Sequence, residues 1–190
     1  MSGTRRGGQR AVRAGAEWEH ALDELHALYA GRGRALVLRC PPPVRVVRTS
    51  RGPQIVHTAA GPADYVGLIR GERATPIGVA LEAKATSQAR WPLRDLREHQ
   101  AVHLDAWERM GGVGAVLLLH RPSLTRWVLP WHAPPCAPEH SLQAVWSSRR
   151  GATRGGASLG LDDLARIGAR FDGSGWIAPL VDLTAHGVPR

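Results

Sequence analysis

The chain of 190 residues contains a single lysine, Lys84, although Lys and Arg together number 25. Cysteine is also scarce, and its two residues, Cys40 and Cys136, lie far apart. They do not make a disulfide framework, so we expect buried thiols rather than a disulfide, and a cytoplasmic protein, in a bacterium or in the host of a phage. The sequence lacks a run of about 18 apolar residues, and its N-terminus lacks an apolar signal segment. We therefore expect no membrane association.

Acidic residues are too few to balance the basic ones. Asp and Glu number 16, the formal net charge is +9, and the sequence pI is near 11.2. An excess of this size favours a polyanionic partner, and nucleic acid is the commonest such partner. Arginine supplies nearly all of the positive charge, and its guanidinium can bind a phosphate through two hydrogen bonds. A basic protein without such a partner is the alternative at this point.

Charge and composition along the chain predict one domain with a basic extension. Residues 1–14 combine arginines with glycines and no acid, which predicts a flexible basic arm before a single domain over 15–190. Residues 44–62 predict a projecting hairpin, because arginines interrupt its apolar positions, and 132–158 predict a loop. The arginines expected to contact DNA are Arg5, Arg6, Arg10, Arg13, Arg45, Arg48 and Arg51.

Apolar periodicity predicts an α/β (α+β) fold. Apolar residues spaced three and four apart predict helices over 17–29, 92–110 and 159–171. The order helix, strands, helix, strands, helix predicts a central mixed sheet flanked by helices. Short apolar runs predict strands at 35–38, 65–70, 77–85, 113–119 and 126–129.

Two carboxylates and the lone lysine form the first candidate site. Glu82 and Lys84 lie on one predicted strand and point to the same face, because strand side chains alternate. Asp64 precedes the neighbouring predicted strand, which can pair with the first as a hairpin. Two nearby carboxylates suit Mg²⁺, and a lysine beside them suits a substrate that gains negative charge as it reacts. An ion pair at a strand end is the simpler alternative.

Two further polar residues fall where they could join this site. Gln100 occupies the apolar stripe of its predicted helix, where an inward amide needs hydrogen-bond partners. Glu19 flanks the apolar stripe of the first helix and could lean toward the sheet. The alternatives are a core glutamine with its own partners and a surface glutamate that favours the helix dipole.

These residues lie in stretches that together resemble the RecU-type Holliday junction resolvases. More broadly, the chain is similar to the PD-(D/E)xK nuclease superfamily, which includes the archaeal-type resolvases. The similarity spans most of residues 15–183. The matching stretches are Gly15-Ala16-Glu17-Trp18-Glu19, Asp64-Tyr65-Val66-Gly67, Leu81-Glu82-Ala83-Lys84-Ala85-Thr86, Trp91-Pro92-Leu93, His99-Gln100, Gly111-Gly112-Val113-Gly114-Ala115, Leu161-Asp162-Asp163-Leu164 and Pro179-Leu180-Val181-Asp182-Leu183.

The resemblance implies a restriction-endonuclease-like core and a phosphodiester hydrolase that resolves four-way DNA junctions by paired symmetric nicks. In that case Asp64 and Glu82 would ligate Mg²⁺, with Mn²⁺ able to replace it. Lys84 would activate the attacking water and steady the scissile phosphate, and Gln100 and Glu19 would complete the site.

The resemblance also implies a homodimer on branched DNA, with the 44–62 hairpin as a stalk that enters the junction centre. Two features depart from the family pattern. Ala63 stands where the family often has threonine, and the stalk is short. Two other functions stay open: a sequence-specific restriction-type nuclease of the same superfamily, and a junction-binding recombination scaffold without catalysis.

Overall fold

The structure is a computed structural model, and it describes residues 3–41, 44–50, 52–57, 61–70, 75–132, 141–149 and 157–185. Two 3₁₀ turns, Leu93–Asp95 and Arg121–Ser123, join the regular elements. The helices and strands in chain order are α1 (Gly3–Gly31), β1 (Ala35–Arg39), β2 (Val44–Thr49), β3 (Gly52–His57), β4 (Tyr65–Arg70), β5 (Pro76–Thr86), β6 (Trp91–Pro92), α2 (Glu98–Arg109), β7 (Val113–His120), β8 (Thr125–Pro130), α3 (Leu142–Arg149), β9 (Ser158–Leu159), α4 (Leu161–Ile167), β10 (Ala169–Phe171) and α5 (Ile177–Ala185).

A six-stranded mixed sheet in the order β1-β4-β5-β7-β8-β10 forms the centre of the fold. β5 and β7 pair in parallel, since α2 carries the chain back between them, and the other neighbouring strands are antiparallel. The prediction of a central mixed sheet flanked by helices is confirmed, and the arrangement is consistent with a restriction-endonuclease-like fold.

Helices cover the sheet on both faces. On one face, α1 and α5 pack through residues such as Trp18 and Leu180 against Leu81 and Leu117. On the other, Leu104 of α2 and the residues of α3 and α4 pack against Ala80, Val116 and Leu118. Alternation along β5 therefore directs Ala80, Glu82 and Lys84 toward the α2 face. None of the helices among the described residues has the length and apolar character needed to cross a bilayer.

The first helix begins earlier than the sequence predicts. α1 starts at Gly3, so the backbone from residue 3 to 14 is helical rather than an irregular arm. Alanine, arginine and glutamine have high helix propensity, and extending an existing helix costs less than starting one. The predicted stripe within α1 is confirmed, because Trp18, Leu22 and Tyr29 are buried. The division into an arm and a domain stays a prediction.

The predicted helix over 92–110 is wrong in its first turns. Trp91 and Pro92 form β6, which pairs with β9, and the Leu93 amide donates to the carbonyl of Ala157 at 2.9 Å. A 3₁₀ turn follows, and α2 begins only at Glu98. The long-range pairing with β9 replaces the local helical hydrogen bonds there.

Two predictions in the C-terminal half are also wrong. The segment 132–158, predicted as a loop, contains α3, whose Leu142, Val145 and Trp146 are buried at helical spacing. The predicted helix over 159–171 contains only α4, because Gly168 lies against β8 and the chain then pairs with β8 as β10. A Cβ at Gly168 would lie 2.5 Å from the Val128 carbonyl oxygen, a backbone atom that cannot easily move, so this approach favours glycine.

The predicted hairpin over 44–62 forms a separate two-stranded sheet of β2 and β3. Its apolar side chains are largely exposed: Val46 is 66% and Ile55 is 72% accessible. Residues 58–60 of the predicted range lie outside the described residues. Its role as a stalk stays a prediction.

Candidate active site

The hairpin of β4 and β5 brings Asp64 beside Glu82. Tyr65 pairs with Leu81 in antiparallel register, so the residue before Tyr65 lies opposite the residue after Leu81. Asp64 Oδ2 accepts a hydrogen bond of 2.9 Å from the Ala83 amide. Tyr65 and Leu81 are buried on the α1 face, which fixes this register. The predicted convergence of Asp64 and Glu82 is thus what the fold produces.

Glu82 is a fully buried carboxylate whose two oxygens differ sharply. Its Oε2 accepts from Lys84 Nζ at 3.2 Å and from Gln100 Nε2. Its Oε1 is buried, and no described residue offers it a hydrogen bond. A buried carboxylate oxygen without a partner is costly unless a cation or a water binds it.

The pKa of Glu82 also indicates too little positive charge around its carboxylate. Burial raises its pKa to about 8, Lys84 opposes that rise, and the neighbouring carboxylate of Asp64 adds to it. The lone ammonium of Lys84, with its side chain only 15% exposed, does not compensate two carboxylates and their desolvation. A divalent cation between Asp64 and Glu82 would supply the missing charge.

Gln100, predicted as a member of the site, reaches it from the first turn of α2. Its Nε2 donates to Glu82 Oε2, and its Oε1 accepts from the Arg97 amide at 3.0 Å. The amide therefore has partners at both ends. This geometry makes Gln100 a group that orients Glu82.

Glu19 lies at the margin of the site on α1. Its carboxylate contacts the Arg39 guanidinium. Burial raises the pKa of Glu19, Arg39 opposes this, and the charge of Asp64 raises it further, so Glu19 is within electrostatic reach of Asp64. The structure thus brings Glu19 within electrostatic reach of Asp64 and Lys84, but with Arg39 as its direct partner.

A supporting network around Tyr65 was not predicted from the sequence. The Tyr65 hydroxyl lies 2.9 Å from Asp23 Oδ1 and 3.0 Å from the Glu19 carbonyl oxygen, and its single hydrogen can be donated to either acceptor. Arg39 Nη1 donates to Asp23 Oδ2 at 3.1 Å, which ties β1 to α1. The sequence feature that could have indicated this network is the tyrosine directly after Asp64, which lies on the opposite face of the strand.

The carboxylates fit magnesium better than a metal that needs a full protein cage. Within the described ranges, no group of three or more His, Cys, Asp or Glu side chains is arranged to hold a metal ion. Mg²⁺ is commonly held by one or two carboxylates, with water and substrate phosphate at its other positions. Asp64 and Glu82, with the unpartnered Glu82 Oε1, fit that requirement.

The predicted DNA-binding arginines can be placed only in part. Arg48 is exposed on β2. Arg45 lies on the same strand, but its side chain is outside the described residues, and Arg51 lies outside them entirely. The four N-terminal arginines lie in α1, with side chains outside the described residues: Arg5, Arg6, Arg10 and Arg13.

Comparison with known proteins identifies relatives of this chain. It is similar to the Holliday junction resolvase RecU of Lactococcus lactis subsp. lactis, with 28% identity over 55% of this chain and 50% of that protein. The protein of the same name from Shouchella clausii is 30% identical over 55% of this chain and 52% of the relative. That from Streptococcus sanguinis is 29% identical over 58% and 56%, respectively. The chain thus spans about half the length of the curated relatives it matches.

The family match covers the whole constellation of candidate residues. Residues 13–134 match the family RecU, Recombination protein U. That range contains Glu19, Asp64, Glu82, Lys84 and Gln100, which the fold draws together from α1, β5, α2 and the residue before β4. Because the match extends over more than half of the sequence, the chain belongs to the Recombination protein U family.

Proposed function

We propose that this protein is a metal-dependent, structure-selective endodeoxyribonuclease that resolves four-way DNA junctions. Family membership and relatives named Holliday junction resolvase support the proposal. The observation that carries it is the buried Glu82, whose Oε1 is unpartnered beside the carboxylate of Asp64. That arrangement favours a divalent cation, and Lys84 lies within hydrogen-bond distance of Glu82 Oε2.

Each residue has a distinct part in phosphodiester hydrolysis. A bound Mg²⁺ would supply Lewis acidity and an activated water between Asp64 and Glu82. Lys84 provides a positive charge where negative charge grows on the scissile phosphate. Gln100 holds Glu82 Oε2, which leaves Oε1 for the metal. Asp64 is fixed by the Ala83 amide, which would hold its carboxylate beside the metal.

Selectivity for junctions requires more than one active centre, because every phosphodiester is chemically alike. An open four-way junction has two-fold symmetry, which a C₂ homodimer would match with two equivalent sites. Exposed arginines such as Arg48 would hold the arms through phosphate contacts that carry no sequence information. We therefore include a homodimer and branched DNA in the proposal.

A junction assay tests the proposal. A fluorescent four-way junction and a linear duplex of the same sequence are incubated with wild type, Asp64→Asn or Asp182→Asn, in Mg²⁺ or in EDTA. We expect symmetric nicks in the junction with wild type in Mg²⁺ only. Asp64→Asn should bind without cutting, since it loses a metal ligand. Asp182→Asn removes the same charge from an exposed position on α5 and should cut normally.

Three other results would each lead to a different conclusion about the function of this protein. Cutting by Asp64→Asn at the wild-type rate would remove this site from the mechanism. Cutting of the duplex at one sequence, with junctions ignored, would identify a restriction-type nuclease. A junction complex that is never cut in any divalent metal would identify a scaffold.

A further inference from the structure

Three arginines surround one carboxylate on the α2 face, outside the candidate active site. Arg166 Nη2 donates to Asp163 Oδ1 at 2.8 Å, and Arg149 Nη1 reaches the same oxygen at 3.4 Å. Arg90 Nη2 donates to Asp163 Oδ2 at 3.1 Å, and the Gly160 amide donates to that oxygen at 3.0 Å. The four side chains come from α3, α4 and the residue before β6. We refer to Arg90, Arg149, Arg166 and Asp163 as the arginine cluster.

The arginine cluster carries more positive charge than its carboxylate can balance. One aspartate faces three guanidinium groups, which leaves a formal excess of two positive charges. Burial would raise the pKa of Asp163, but the Gly160 amide and the three arginines together lower it, so the aspartate is ionised. Both of its oxygens already accept hydrogen bonds. A fixed positive excess at the surface favours an anion.

The guanidinium groups retain both exposure and hydrogen-bonding capacity. The side chains of Arg90 and Arg166 are each 50% exposed, and that of Arg149 is 33% exposed. Each guanidinium has five N–H donors. Within the described part of the chain, Arg149 and Arg166 each make one hydrogen bond, to Asp163, while Arg90 also donates to Ser158. The aspartate thus orients three groups that can still bind phosphate oxygens.

The arginine cluster lies close to the candidate active site. Six peptide units join Lys84 to Arg90, so their Cα atoms are at most about 22 Å apart. At about 3.4 Å per base pair, this is about six base pairs of B-form DNA. Trp91, Leu159 and Leu164 beside the cluster belong to the same apolar core as Ala80, so both sites lie on the α2 face.

We infer that the arginine cluster is a DNA-backbone site, which binds phosphates of the junction arm close to the phosphate that is cut. The inference rests on the proposed function, because the phosphate to be cut is defined by Asp64 and Glu82. Asp163 is a positioning residue in this site. It neutralises one charge and holds the guanidinium groups side by side, so that they face one strand.

Salt-dependent binding tests this inference. Affinity for a fluorescent four-way junction is measured by anisotropy in EDTA between about 50 and 200 mM salt. The slope is the steepness with which the logarithm of the binding constant falls against the logarithm of the salt concentration, and each phosphate contact contributes about 0.9 to it. With slopes counted per bound subunit throughout, the double variant Arg149→Gln/Arg166→Gln should lower the slope by about 1.8. The charge-retaining Arg149→Lys/Arg166→Lys should keep most of the slope, which a purely structural role for the arginines would not explain.

The matched control is Arg32→Gln/Arg34→Gln. It removes the same charge from exposed positions before β1. The Arg34 carbonyl accepts a hydrogen bond from the Arg70 amide, which places these positions at the end of the sheet opposite to Thr86. We expect its slope to equal that of the wild type. An equal loss of slope in the control, or no loss in the glutamine variant, would overturn the inference. If the double glutamine variant does not fold, Arg166→Gln alone should still lower the slope by about 0.9.

Cleavage in Mg²⁺ separates this inference from the proposed function. If the wild type cuts junctions but the glutamine variant keeps its slope, only the arginine cluster is refuted. If the wild type binds but never cuts, while the glutamine variant loses slope, the cluster stands as a DNA site and the nuclease proposal fails. A wild type that binds no DNA would refute both.

Discussion

Glu82 and Asp163 are carboxylates on the same face of the main sheet, and their surroundings are opposite. Glu82 has one ammonium, a second carboxylate and an unpartnered oxygen, and its pKa is raised to about 8. Asp163 has three guanidinium groups and a backbone amide, and its pKa is lowered. One site lacks positive charge, and the other has too much.

The difference indicates two ligands of opposite sign. A cation would compensate the Asp64–Glu82 pair, and an anion would compensate the arginine cluster. A nucleic acid strand whose metal-bound phosphate lies at the first site and whose neighbouring phosphates lie at the second would satisfy both. If the comparison is right, removing charge should impair catalysis at one site and affinity at the other.

The largest effect is expected from Glu82→Gln. The amide can accept the bonds from Lys84 and Gln100, but it is a poor ligand for Mg²⁺. We expect a loss of more than about 10³-fold in the single-turnover rate of junction cutting, with junction affinity in EDTA unchanged. A variant that retains cutting would show that this carboxylate does not hold the metal.

Lys84→Ala should have the next largest effect. Removing the only ammonium beside the scissile phosphate should slow cutting by about 10²–10³-fold, or about 2.7–4 kcal/mol. Rates at saturating Mg²⁺ isolate this loss from weaker metal binding. Lys84→Arg is the companion variant, and partial recovery there would assign the effect to charge rather than to packing.

The stability of the metal-free protein should depend on pH through Glu82. Its pKa in the folded protein, about 8, exceeds the ordinary glutamate pKa of 4.5, so between these values the folded state binds one more proton than the unfolded state. Stability should therefore fall as pH rises through this window, by about 2 kcal/mol between about pH 6.5 and about pH 8.5. Urea unfolding in EDTA measures it. The part due to Glu82 should vanish in Glu82→Gln, and an identical slope in both proteins would contradict the assignment.

Asp163→Asn should have the smallest effect. The amide retains a hydrogen-bond acceptor for the Gly160 amide, but it no longer compensates the three arginines. The pairs are partly exposed, so we expect a loss of about 1 kcal/mol in the free energy of unfolding at neutral pH. The loss should disappear below the pKa of Asp163, because the wild-type aspartate is then neutral. An undiminished loss in acid would point to packing instead.

The candidate active site was largely predictable, because its information is local. Strand alternation places Glu82 and Lys84 on one face, and a hairpin register places Asp64 opposite Glu82. Gln100 was detectable as an amide within an apolar stripe. Arg39 was not, because its pairing with Glu19 depends on how α1 crosses β1.

The rest of the fold depended on contacts between distant residues. α3 lies in a stretch rich in proline, glycine and serine, although Leu142, Val145 and Trp146 carry helical spacing. β10 has only three residues and exists because β8 offers an edge. The arginine cluster joins Arg90 to residues of α3 and α4, and periodicity does not reveal such a meeting.

Gln100 links the Glu82 carboxylate to the start of a helix. Its carbonyl oxygen holds the Arg97 amide at 3.0 Å while its NH₂ group holds Glu82. A carboxamide of this length can accept a hydrogen bond at one end and donate one at the other. In Gln100→Glu the carboxylate would still accept from the Arg97 amide, but its negative charge would repel the carboxylate of Glu82. Any force that DNA exerts on the opening residues of α2 would thereby reach the Glu82 carboxylate through a single planar group.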